Sequence, residues 1–365
     1  MRTLTAAFLT AAGIALMSAP ASAQQTRMLS ADRHNEYGLV YTLPLTSLRI
    51  DVSAKRTVSV AGPYRQYAKR FIGKSDVVEH DGEQWQITDV KVIPVGVPDT
   101  DPESQFLMQL KPGALTQICV ADNNMLLAIN KEVASPDVPE LPATQPIEKI
   151  DIKEYLQYVN EDFLASQSTA KQAQMLSESL MEIRDSKVSL TRGTAETMPT
   201  DGRQLELMLK SLQHQEEAVT AAFAGASATQ TVSRSFTFMP DEEGRSILFR
   251  ISDFAGFVGA DDYSGDPVYI RVSNLRSAEI PVDDKGEEKK LPKNAVMYNI
   301  PGTAHVEITL RGATLWSGDL ELAQAGVRFG LDPTLFSDKK VRSAATFNPA
   351  TGAIVNISEI TDSAN

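Results

Sequence analysis

Carboxylates and glycines crowd one stretch of this sequence, Gly259-Ala260-Asp261-Asp262-Tyr263-Ser264-Gly265-Asp266, with Asp253 a little upstream. Calcium takes six to eight oxygen donors from such backbone, so Asp253, Asp261, Asp262 and Asp266 are the candidate ligands of a metal ion. The spacing matches neither the EF-hand loop nor the calcium-binding nonapeptide repeat, and a solvated loop between Ile251 and Val268 is the plainer reading. Asp99-Thr100-Asp101 after Pro98 reads the same way. Calcium is therefore the one cofactor the sequence leaves open. Glycoside hydrolysis would need two carboxylates facing each other, which spacing along a chain does not reveal.

Other chemistry finds few carriers. The histidines His34, His80, His214 and His305 are scattered, and no pair has zinc-site spacing. Cys119, the single cysteine, sits in Gln117-Ile118-Cys119-Val120-Ala121, where a buried thiol behaves as a small hydrophobe. One cysteine also excludes an internal disulfide. There is no G-x-S-x-G elbow, no S-x-x-K set and no phosphate-binding glycine loop, so no catalytic residue is assigned. Trp85 and Trp316 lie in strand-like settings where core packing is the default, a sugar platform being the alternative.

The elements that must position these residues follow from periodicity. Leu48, Ile50 and Val52 alternate with Arg49 and Asp51, the pattern of a half-wet sheet. Ile247, Phe249 and Ile251 alternate with Leu248 and Arg250; Val268, Ile270 and Val272 with Tyr269 and Arg271; Val306, Ile308 and Leu310 with Glu307 and Thr309. Turn chemistry recurs at Asp81-Gly82, Asp122-Asn123-Asn124, Asp284-Lys285-Gly286, Arg311-Gly312, Ser317-Gly318 and Thr351-Gly352. One short helix is expected where Tyr64, Tyr67, Ala68 and Phe71 fall on one face, between Pro63 and Gly73.

Pro136, Pro139, Pro142 and Pro146 mark an extended linker. Beyond it, residues 153–163 read as a lead-in helix. Two apolar stripes follow: Leu176, Leu180 and Ile183, then Leu205, Met208, Leu212, Val219 and Phe223, with Asp201 as N-cap and Gly225 past the end. These make an antiparallel helical hairpin whose narrow stripes bury one seam and leave much of its surface wet. The expected fold class is α+β: two antiparallel β-rich regions, sandwich or barrel-like, flanking a helical hairpin. In residues this divides into 1–23 signal peptide, 24–132 N-terminal β-rich domain with one short helix, 133–149 Pro-rich linker, 150–227 helical hairpin and 228–365 C-terminal β-sandwich-like domain.

Composition bounds the remaining choices. The 365 residues are 42% hydrophobic and 22% charged, ordinary for a globular protein. A formal net charge of −12 argues against nucleic acid as a partner, which needs a basic face. Arg2, the apolar run 4–17 and Ala21-Ser22-Ala23 form a secretory signal with cleavage after Ala23. No later run reaches transmembrane length. The expected location is exported, either periplasmic or at the cell surface.

Several segments together resemble an uncharacterised family of secreted Bacteroidetes proteins, a domain of unknown function of about 350 residues. They are Tyr37-Gly38-Leu39-Val40-Tyr41-Thr42-Leu43-Pro44, Ala61-Gly62-Pro63-Tyr64 with Tyr67-Ala68, Pro199-Thr200-Asp201-Gly202, Phe249-Arg250-Ile251-Ser252, Tyr298-Asn299-Ile300-Pro301 and Ala323-Gln324-Ala325-Gly326. The resemblance implies export, length and layout, and no activity. The functional expectation is a non-catalytic envelope or surface protein that binds a protein partner or a glycan. The alternative is a secreted hydrolase whose site is assembled between the β regions.

Overall fold

Alternation places Leu48, Ile50, Val52 and Ala54 on one face of a long strand, and all four are fully buried. The computed structural model describes residues 25–28, 38–109, 117–135, 137, 139–144, 146–199, 201–337 and 342–360. The signal segment 1–23 and His34 lie outside them. Up to the hairpin the elements are β1 (Gln25–Met28), β2 (Leu39–Thr42), β3 (Pro44–Val60), α1 (Ala68–Phe71), β4 (Gly82–Pro98), β5 (Gln105–Gln109), β6 (Ile118–Val120), β7 (Leu126–Ile129) and α2 (Glu161–Ala165). The hairpin is α3 (Thr169–Arg192) and α4 (Gly202–Ala224). After it come β8 (Ala226–Phe238), β9 (Gly244–Ser252), β10 (Gly256–Val258), β11 (Asp266–Arg276), β12 (Val296–Leu310) and β13 (Ala313–Leu331). The last elements are α5 (Thr334–Ser337), β14 (Arg342–Phe347) and β15 (Ile354–Ile360).

The fold is α+β, with antiparallel strand pairing in sheets of order β4-β3-β8, β10-β9-β11-β12-β13, β15-β14-β7-β6 and β1-β5-β2. The first two face each other. Their shared core joins the β3 row to Val268, Ile270 and Val272 of β11 and to Val306 and Ile308 of β12. Trp85 and Trp316 pack on this core, as their strand settings implied. A second core gathers Tyr41, Met108, Ile129, Val296, Phe336 and Phe347. Strand β8, made after the hairpin, lies along β3 from Val60↔Ala226 to Leu48↔Phe238, and β14 pairs with β7. Strands from before and after the hairpin therefore share sheets and cores.

Where the sheets meet, side chains stand in for missing ladder partners. The buried Tyr41 hydroxyl accepts from the Met297 backbone N–H at 2.8 Å and donates to its carbonyl at 3.2 Å. In β13 the residues 323–326 bulge opposite Pro301, between the pairs Gly302↔Leu322 and Ile300↔Val327. From that bulge Gln324 accepts from the Thr46 N–H at 2.9 Å and donates to the Thr46 and Pro240 carbonyls at 3.0 and 3.1 Å. Asn299 donates to the Pro44 and Thr351 carbonyls, and Asn130 to those of Phe336 and Ser343. Buried backbone groups must be paired, and here four side chains do it across chain separations that reach 278 residues.

Four local readings change. Asp81-Gly82 is not a two-residue hairpin turn: the whole segment 61–81 separates β3 from β4, and Asp81 Oδ1 instead accepts from the Ala61 N–H. Ser317-Gly318 is no turn either, because it lies inside β13, where Gly318 makes room for the Trp316 ring. The lead-in helix is two short turns, a 3-10 turn Glu154–Tyr158 and α2, the latter capped by Asn160 on the Phe163 N–H. In β9 the register slips between Val268↔Phe249 and Tyr269↔Ile247, so Leu248 is an extra residue. The slip turns Ile247 out to solvent and brings Leu248 onto the core, while Phe249 and Ile251 stay buried as the alternation implies.

Candidate functional site

The carboxylate loop is organised by arginines. Asp253 begins the turn between β9 and β10, Asp266 opens β11, and Arg311 stands in the Arg311-Gly312 turn between β12 and β13. Arg311 Nη2 lies 2.9 Å from Asp253 Oδ2 and 2.6 Å from Asp266 Oδ2. Hydrogen bonding to Asp253, then to Asp266, raises the guanidinium above its ordinary range. Two of the four candidate ligands are thus brought together around a built-in cation. Asp261 and Asp262 belong to the crossover from β10 to β11. There the buried Arg250 donates to the Ala260 and Gly265 carbonyls, and its guanidinium sits 4.7 Å from the Tyr263 ring centre. Hydrogen bonding from the Ser264 hydroxyl, then from the Ser264 N–H, lowers the Asp262 carboxyl. Among the described residues no three His, Cys, Asp or Glu side chains gather as a metal-ligand set.

The same end of the molecule holds Trp85. Its N–H on the backbone donates to the Asp253 carbonyl at 2.7 Å, and its indole N–H donates to Glu83. Arg56 closes a two-pronged pair on Glu83 at 2.7 and 2.9 Å and lies over the Trp85 ring. The guanidinium, foremost, holds the Glu83 carboxyl below the usual range. Phe254 and Tyr263 point outward, 76% and 85% exposed.

Ser273, His305 and Asp319 occupy adjacent register positions on β11, β12 and β13. His305 Nδ1 lies 2.7 Å from Asp319 Oδ1. The Ser273 hydroxyl is directed at the His305 backbone carbonyl at 3.5 Å rather than at the ring, so the trio lacks the hydrogen bond that activates a serine nucleophile. His214 packs near Glu154 and Tyr158 on the hairpin, and His80 is exposed. Cys119 is half-buried rather than fully buried, its thiol donating to the Val133 carbonyl.

The helical hairpin is anchored at one end only. Tyr64, Tyr155, Phe163, Leu176, Leu180 and Phe223 form its base core, into which Tyr64 sends its N–H to the Ala222 carbonyl. Helix α3 stops at Gly193 in the left-handed region, with the Gly193 and Thr194 N–H groups returning to Leu190 and Ser189. Asp201 caps α4 by accepting from the Arg203 N–H. No residue of α4 before Ala218 is buried. One side of the outer half is stapled by Glu216, which takes Arg184 Nε at 2.8 Å and Lys187 Nζ at 2.7 Å. Those two cations, Lys187 first, lower the Glu216 carboxyl. Met181, Val188, Leu207 and Met208 remain exposed, Leu207 at 61%.

A cavity of about 410 Å³ lies at the far end of β4. Its walls are that strand around Pro94 and Gly96, the turn between β6 and β7, the Pro-rich segment near Asp137 and Pro139, and the turn between β14 and β15 at Pro349. The walls touch at Gly96, where a Cβ would stand 1.9 Å from the Pro349 carbonyl oxygen. The Asp122-Asn123-Asn124 turn, with Asn124 at φ 64°, forms as the sequence implies and frames one side. Sequence reasoning missed this cavity because four distant segments build it.

No helix among the described residues is long and apolar enough to cross a membrane. No curated protein matches this chain, and no solved structure does. A family model does match, over residues 37–355, nearly the whole span that carries the motifs quoted above. The chain belongs to the family described as Domain of unknown function (DUF4831).

Proposed function

We propose that this is an exported, non-catalytic envelope or surface protein that holds a partner protein on its helical hairpin. One observation carries the reading: α3 and α4 extend beyond their base core and leave Val188, Leu207 and Met208 in solvent. Exposed apolar residues grouped on a projecting element mark contact surfaces more often than isolated ones do. Two antiparallel helices also offer a groove for a third. Export rests on the signal pattern at 1–23 and on the resemblance to secreted Bacteroidetes proteins.

A photo-crosslinking residue placed at Leu207 in intact cells tests this. A discrete protein adduct is expected, lost when Met208→Glu is added. A crosslinker at Val355, exposed on β15, gives none. Absence of any adduct at Leu207, or equal adducts at both positions, counts against the hairpin as the contact.

Glycan binding is the second reading, favoured by exposed Phe254 and Tyr263 beside the Asp253–Arg311–Asp266 cluster. Aromatic faces stack on sugar rings while carboxylates and arginines take hydroxyls. Retention on a glycan array that disappears in Phe254→Ala with Tyr263→Ala supports it; retention unchanged by that pair removes this site.

A further inference from the structure

We propose that the cavity beside β4 binds a small ligand built of an apolar body and a protonated amine. Its volume, about 410 Å³, falls in the range of small-ligand sites. The floor is apolar: Ala121 and Met125 are buried there, and Pro94, Pro139 and Pro349 supply walls without N–H donors. The charges on the walls are one-signed. Among the described residues, Asp122 and Asp137 are the only ionisable ones lining it, and neither has a hydrogen-bond or ion-pair partner there. By contrast Glu83 is matched by Arg56, Glu216 by Arg184 and Lys187, and Asp253 and Asp266 by Arg311. An apolar pocket with two unmatched carboxylates at its rim is complementary to a cation carrying a hydrophobic group.

The walls also decide the shape of the occupant. An extended peptide adding to the free edge of β4 would need donors along that edge, and Pro94 and Pro98 lack them. The ring faces that cage quaternary ammonium groups are missing from the lining as well. A compact primary amine satisfies both limits: its N–H groups donate to the carboxylates and its apolar part enters between the prolines.

The test titrates the full chain with 4-phenylbutylamine, 4-phenylbutanol and 4-phenylbutyrate, following backbone amide shifts of Gly96 and Ala121. Saturable binding of the amine is expected, weaker for the alcohol and absent for the acid. Asp122→Asn with Asp137→Asn should weaken the amine about tenfold or more, the scale of losing a charged hydrogen-bond partner. Both residues are exposed, and an unchanged melting temperature shows that the variant is folded. Equal binding of amine and acid, no saturable binding, or amine binding indifferent to the double substitution overturns the proposal. The hairpin plays no part in this readout.

Discussion

The sheet junctions and the outer hairpin are opposite solutions to holding a chain in place. At the junctions, the buried Tyr41 and Asn299 and the half-buried Asn130 and Gln324 are polar side chains matched to backbone groups. Leaving such a group unmatched costs about 1–3 kcal/mol, so each fixes one arrangement of strands. On the hairpin, Glu216 joins the helices through partly exposed ion pairs, which contribute little and yield to salt. The difference teaches where this molecule tolerates change: its sheets are set by matched buried groups, while its arm is held by a narrow seam.

Replacing Tyr41 with Ala should strike the junction hardest. It removes a fully buried ring and strands the Met297 backbone, an expected loss of about 3–5 kcal/mol in urea unfolding. A loss under 1 kcal/mol would mean that this contact does not set the strands. Gln324→Leu keeps volume but orphans the Thr46 N–H, and about 1–3 kcal/mol is expected.

On the arm, Glu216→Gln should remove only about 0.5–1 kcal/mol, an effect that shrinks in high salt. Hydrogen exchange should quicken in α3 and α4 while the sheets stay protected. Acid gives the same result another way. The Glu216 carboxyl is lowered from 4.5 in the folded chain, so its stabilisation is present above that pH and fades as pH falls through the lowered value. Protection of the wild-type hairpin, taken relative to intrinsic exchange at each pH, should therefore fall as the pH drops through that lowered value, and the Gln variant should not share that part of the change. Smallest of all, Leu207→Ser should alter stability by less than about 0.5 kcal/mol, since that side chain touches mainly water.

Much of this was legible in the residues. The β3, β11 and β12 alternations, the Asp201 cap and the Gly225 stop are local, and local periodicity reports them. The extra residue at Leu248 was not, because a register slip is a property of β9 and β11 together. Three of the junction residues, Tyr41, Asn299 and Gln324, were quoted as family motifs, yet their role stayed hidden, since groups they match lie hundreds of residues away. Arg311 was read only as part of a turn. Its one hint is an arginine at a positive-φ turn position that usually takes Asn, Asp or Gly. The 37–355 family span takes in residues that hold the sheets together, Asn299 and Gln324 among them.

The order of strands has a consequence for biosynthesis. Ser53 meets Ser233 across 180 residues, and Thr46 meets Ala350 across 304. A ribosome that has made only the first third of the chain has released β3 paired with β4, but β8, its neighbour on the other edge, does not yet exist. Contacts of such separation form slowly and late, so the shared cores should close only after the final strands have emerged.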